Sequence, residues 1–119
     1  MKIDIIEENG IKIAILRSSD VVLRETQDVL DLMANAIYMD SKKIIIEKDQ
    51  IIPEFFDLKT GIAGEILQKF SNYDVQLAII GDFSKYPSKS FRDFIFESNK
   101  YGRINFVNTF EEAKEKLSR

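Results

Sequence analysis

The chain contains no cysteine and no histidine. Without a thiol there is no disulfide, no thiolate-bound metal and no cysteine nucleophile. Without an imidazole the commonest general base and the commonest zinc ligand are missing, and a Ser-His-Asp arrangement cannot be assembled. An enzyme made from this sequence would have to work with carboxylates, lysines or tyrosines. The expectation is therefore a non-enzymatic protein with no cofactor and no metal. No G-x-G-x-x-G and no G-x-x-x-x-G-K-[ST] occurs, so the nucleotide fingerprints are absent too. No apolar run approaches the roughly 20 residues of a membrane span. The opening "MKIDIIEENG" places acids inside its apolar stretch, unlike a signal peptide. A formal net charge of −3 provides no basic stripe for nucleic acid. The expectation is a cytoplasmic protein that binds neither nucleic acid nor membrane.

What is present fits one globular domain over residues 1–119, with 45% hydrophobic and 31% charged residues. Two apolar-rich runs, about 2–7 and 11–16, flank Asn9-Gly10, a dipeptide that tolerates the positive φ angles of a type I′ turn. They predict a β-hairpin. From Asp20 the period changes. Val22, Thr26, Val29, Met33 and Ile37 recur at three- and four-residue steps and predict a helix over about 20–39, capped by Asp20 or Ser19. "KKIIIE" (42–47) and "VQLAIIG" (75–81) predict buried strands. Between them Ile62, Ala63, Ile66, Leu67 and Phe70 form the stripe of a second helix starting near Asp57. Ser88 caps a third helix that ends before Gly102, "RINFV" is a last strand, and "TFEE" is a capping box opening a final helix at about 110–118. The fold class read from this order, β-β-α-β-α-β-α-β-α, is a single α/β domain. Its sheet is mostly parallel, with an antiparallel hairpin strand at the edge.

In open α/β sheets ligand sites gather at the C-terminal ends of parallel strands. Two segments are expected there, "EKDQIIPEFFDLKTG" and "GDFSKYPSKS". In the first, Asp57, Lys59, Thr60 and Gly61 stand at a helix start. There, free N–H groups and the dipole favour an anion, either a ligand or a phosphate on Thr60 itself. Gly61 and Gly64 remove side chains from the helix surface and admit a close approach, by a partner protein or by a neighbouring strand. Phe55, Phe56 and Phe83 are candidate walls of a pocket between loops 50–60 and 82–89, with Ser84 and Lys85 from the second loop and Lys59 as a further anion contact. Each feature also has a plainer reading: Asp57 as an N-cap, the serines and lysines as a solvated loop, the phenylalanines as core.

The element order is similar to that of the STAS domain, the fold of bacterial anti-sigma-factor antagonists. In that family a D-S-S-G-L-G-type segment opens the second helix, and the serine before the first glycine is phosphorylated by a partner kinase. Here Thr60 and Gly61 match that serine and glycine. Asp57 lies one residue further upstream, Lys59 replaces a small residue and Ala63 replaces the second glycine. Across the chain, "FFDLKTGIAGEILQKF", "LAIIGDFSKYPSKSFRDFI" and "INFVNTFEEAKEKL" resemble a bacterial family known as domain of unknown function 4180, which implies a STAS-like fold and brings no established activity. The expectations carried forward are two. One is a regulatory or protein-interaction module with the surface around the second helix as its contact face and Thr60 as its control point. The other is a small-molecule or anion binder with the pocket between the two loops. A two-fold homodimer through the hairpin edge or an apolar helix face is compatible with either.

Overall fold

Asn9 and Gly10 take φ angles of 52° and 78°, the pair a two-residue type I′ turn requires. They join β1 (Lys2–Glu8) to β2 (Ile11–Arg17) as an antiparallel hairpin running from Lys2↔Arg17 to Glu8↔Ile11. The computed structural model describes residues 1–119. Three further strands, β3 (Lys43–Glu47), β4 (Gln76–Ile80) and β5 (Ile104–Val107), extend the sheet in the order β1-β2-β3-β4-β5, parallel from β2 onward. The helices are α1 (Thr26–Tyr38), α2 (Ile62–Asn72), α3 (Lys89–Tyr101) and α4 (Phe110–Leu117). Each of the first three links a strand to its next neighbour in the same direction. Right-handed crossovers therefore stack α1, α2 and α3 on one face of the sheet. No strand follows α4, so no crossover rule holds it. It lies on the opposite face, where Ala113 and Leu117 pack on Ile13, Ile15, Ile45, Ala78 and Val107.

The start of α1 differs from the periodic reading. The stripe predicts a helix from residue 20, yet α1 begins at Thr26 and neither Asp20 nor Ser19 caps it. The reason is tertiary. Val22 and Leu23 donate their N–H groups to the Gln50 carbonyl at 2.8 and 2.9 Å, and Ile52 donates to Leu23 at 3.0 Å. This forms a parallel bridge between Leu23 and Ile51. Val21 and Val22 suit that extended pairing as well as they suit a helix. The Asp28 carboxylate then accepts the N–H groups of Arg24 and Glu25 at 2.9 and 3.2 Å and seals the real helix start. The later punctuation matches its signals at α3, where Ser88 accepts from the Phe91 N–H and Gly102 closes the helix at φ 90°, and in half at α4, where Thr109 accepts from the Glu112 N–H without the reciprocal bond of a capping box.

The main core lies between the sheet and its three helices and contains 21 buried residues. Seven aromatic rings meet in it. Phe106 on β5 lies within 6.4 Å, centroid to centroid, of Phe55, Phe83, Phe91 and Phe94, and Phe56 and Tyr86 complete the cluster. The opposite face has a smaller core of 7 buried residues under α4. No helix is long and apolar enough to cross a membrane.

Candidate functional site

The segment after β3 is a staircase of 3₁₀ turns at Lys48–Gln50, Pro53–Phe56 and Leu58–Thr60. Asp57 caps the last of these turns, its carboxylate accepting the Lys59 N–H at 3.1 Å. It does not open α2, which begins only at Ile62. The delay has a backbone cause: Gly61 sits at φ 77° immediately before the helix, in a region that glycine enters without steric cost.

Thr60 is exposed, and its hydroxyl is fully occupied by the local backbone. It donates toward the carbonyls of Glu54 (2.9 Å) and Asp57 (2.8 Å) and accepts the N–H of Ile62 at 3.3 Å. Thr60 therefore ties the last 3₁₀ turn to the first turn of α2 while its side chain still meets solvent. Lys59 is exposed beside it and takes part in no salt bridge.

The proposed pocket between the two loops is occupied by side chains. Phe55 is fully buried and Phe56 nearly so, in edge-on contact at 4.9 Å. Phe83 covers Phe56 at 6.1 Å and Phe106 at 5.1 Å. Burying these rings against one another is more favourable than leaving them around water, so they fill the space they would have lined. A groove of about 310 Å³ persists beside them, and of the expected wall residues only Phe56 reaches it. None of the sizeable cavities includes Phe55, Phe83, Ser84, Lys85 or Lys59. In the second loop Asp82 accepts the Ser84 hydroxyl at 2.6 Å and its N–H at 3.0 Å. These bonds, the hydroxyl first, hold the Asp82 carboxyl below the ordinary carboxylate range, with Lys85 and Lys48 adding to the effect.

Lys48, Gly81 and Tyr86 form a contact that no sequence pattern announced. A Cβ on Gly81 would stand 2.7 Å from the Lys48 Cβ, so only glycine lets the two loops close. The Lys48 ammonium then lies 5.4 Å from the Tyr86 ring centroid, over its face. Gly64 is the opposite case. It is exposed, and a Cβ there would meet nothing within 4 Å. No neighbouring strand approaches it, so sheet packing does not account for this glycine.

Two grooves open in the helical layer. One, about 550 Å³, runs along α1 as far as the residue that ends α2 and includes Leu30, Ile37, Tyr38 and Tyr73. The other, about 460 Å³, lies between α2 and α3 and includes Gly64, Leu67, Phe94 and Tyr101. Every exposed large apolar side chain except Met1 belongs to this helical layer: Ile37, Tyr38, Met39, Tyr73, Phe96 and Tyr101. Tyr38 is 92% exposed and Tyr101 78%. A further cleft of about 480 Å³ opens at the ends of β2, β3 and β4 beneath the start of α4. Its floor is Ile15, Ile45, Ile80 and Phe110 and its rim Arg17, Glu47, Asn108 and Thr109. The sequence reading placed the strand-end site in the loops on the helical side. It missed this cleft because nothing in "INFVNTFEEAKEKL" reveals that α4 crosses to the other face. Arg17 on the rim is held by Asp4 at 2.9 Å. The buried Gln50 amide joins β2 to β3 below it, donating to the Leu16 and Ser18 carbonyls and accepting the Glu47 N–H.

No curated protein and no solved structure matches the chain. A family model does, over residues 8–117, which takes in everything from the hairpin turn to the last turn of α4. The chain belongs to the family described as Domain of unknown function (DUF4180).

Proposed function

We propose that this chain is a STAS-like regulatory or protein-interaction module, bacterial and cytoplasmic, that performs no catalysis. In this reading the outer face of α2, with the groove it shares with α3, receives a protein partner, and Thr60 is the control point. The observation that carries the reading is Gly64. Gly64 is exposed in the first turn of α2, where glycine costs a helix up to roughly 1 kcal/mol relative to alanine, and nothing inside the molecule requires one here. A bare patch of helix backbone in a groove that Leu67, Phe94 and the exposed Tyr101 also line is suited to close contact with another protein.

Thr60 suits a switch by its chemistry. A phosphate adds about −1.5 to −2 charges and removes the proton that the hydroxyl gives to Glu54 and Asp57. The 3₁₀ turn would loosen while the start of α2 gains an anion beside its free N–H groups and Lys59. A phosphate there repels an acidic partner or recruits a basic one.

The test is capture from a lysate of the source cell by wild type, Gly64→Arg, Thr60→Ala and Thr60→Glu, followed by affinity measurements on the captured protein. Loss of binding in Gly64→Arg and a difference between Thr60→Ala and Thr60→Glu are expected. Equal affinity across all four would sink the proposal.

A second reading, a small-molecule or anion binder, is favoured by the cleft beneath α4, an apolar floor with a polar rim. Its test is thermal stabilisation by metabolite pools, expected to vanish in Ile45→Trp, which fills the floor.

A further inference from the structure

The two edges of the sheet are built differently. β5 is four residues long, with α3 and α4 packed against it. β1 is seven residues long and has β2 as its one neighbour. It carries no proline, and its register with β2 runs without a bulge from end to end. Long, regular edges pair with another strand, and because β1 carries Lys2, Asp4, Glu7 and Glu8, charges that commonly guard an edge, it accepts only a strand whose charges match them.

The backbone of β1 says which groups are free. The two-residue turn makes Glu8 and Ile11 a hydrogen-bonded pair, and such pairs alternate along an antiparallel ladder. Lys2, Asp4, Ile6 and Glu8 therefore direct their N–H and C=O groups at β2. Ile3, Ile5 and Glu7 direct theirs outward.

We infer that β1 pairs with β1 of a second copy of this chain, antiparallel about a two-fold axis centred on Ile5. In that register Ile5 faces Ile5, Ile3 faces Glu7, Asp4 faces Ile6 and Lys2 faces Glu8 of the second copy. Each outward N–H meets an outward carbonyl, because Ile3, Ile5 and Glu7 pair only among themselves. Opposite charges meet at both ends of the ladder and two isoleucines at its centre. The side chains decide the register. Faces of the sheet are preserved only by shifts of two residues. A shift one way sets Asp4 opposite Asp4, a shift the other way sets Asp4 opposite Glu8, and larger shifts shorten the ladder. Within each copy Asp4 is already neutralised by Arg17 at 2.9 Å, and Glu8 by Lys114 at 3.3 Å. Glu8 then shares its carboxylate between Lys114 and the arriving Lys2.

The axis stands perpendicular to the sheet, so both helical layers face the same side. The dimer would present two copies of α2 and Thr60 in one direction, a bivalent surface. The dimer itself does not rest on the interaction-module reading, since β1 takes no part in the helical layer.

Sedimentation equilibrium of the full chain tests the inference, with circular dichroism reporting the fold. Wild type is expected at the mass of two chains in the upper concentration range. Ile5→Pro removes an outward N–H and leaves the β2 ladder intact; it is expected to be folded and monomeric. If its partly buried side chain proves necessary for folding, Ile3→Pro makes the same deletion nearer the strand start. Lys2→Glu is expected to weaken the dimer about tenfold, from two repulsive cross-strand pairs, and Lys2→Glu with Glu8→Lys to restore it. A monomer at every concentration overturns the inference. So does a dimer that survives the proline variants, and one abolished by Tyr38→Asp instead would move the interface to the helical layer.

Discussion

The two faces of the sheet solve the same burial problem with unequal means. Three helices and seven aromatic rings close one face into a continuous core. A single helix, Phe110–Leu117, covers the other and leaves the strand ends open beneath its first turn. The thick face packs seven aromatic rings so closely that the pocket expected there is filled, and its opportunities for contact lie on the outside, along α2. The thin face cannot bury everything, so its cleft lies inside the fold. Where a layer is complete, function has only the exterior to use; where it is incomplete, the gap itself is a site.

Mutations can break or sharpen that contrast. The largest effect is expected at the centre of the thick face. Phe106→Ala leaves a void among four rings and should destabilise the chain by about 3–5 kcal/mol in chemical denaturation. On the thin face, Leu117→Ala should cost about 2–3 kcal/mol, the lower part of the range for leucine. An equal loss at the two positions would mean that α4 carries as much of the core as the three-helix layer does. Next come the two glycines, expected to move stability in opposite directions. Gly81→Ala forces a methyl to within 2.7 Å of the Lys48 Cβ and should cost about 2 kcal/mol. Gly64→Ala meets open space in a helix and should stabilise by about 0.5–1 kcal/mol. A destabilised Gly64→Ala would show that this glycine serves the fold rather than a partner at α2.

The smallest effect is a pH dependence in the loop after β4. The Asp82 carboxyl is held down chiefly by the Ser84 hydroxyl. A carboxyl lowered in the folded state contributes stability above its unfolded value, about 3.9. That contribution is lost as pH falls through the lowered folded value. Ser84→Ala should flatten this acid limb when the denaturation midpoint is followed from pH 6 to pH 2, with little change at neutral pH. An unchanged limb would assign the acid sensitivity to other carboxylates.

Much of the fold was legible because its signals are local. Asn9-Gly10, Ser88, Gly102 and Thr109-Phe110-Glu111-Glu112 each act through their own backbone within a few residues, so spacing reveals them. The start of α1 was not legible, because Val22 and Leu23 satisfy their N–H groups on Gln50, a residue far along the chain. The candidate site divides in the same way. Thr60 and Gly61 were visible as a helix-start signal, and Thr60 is exposed there. The wall phenylalanines were chosen by their place in the loops, and the partners that drew them inward, Phe91 and Phe106, come from other elements.

The sequence by itself determined the strand and helix order, the hairpin and the caps of α3 and α4, since each depends on torsion preferences and hydrogen bonds between near neighbours. Only the tertiary structure decided that α4 crosses to the second face, that the aromatic rings meet and close the expected pocket, that Gly81 is needed where Lys48 passes and that Gly64 touches nothing. Those outcomes depend on which surfaces are brought within van der Waals distance, and that distance is set by the packing of the whole sheet and its layers.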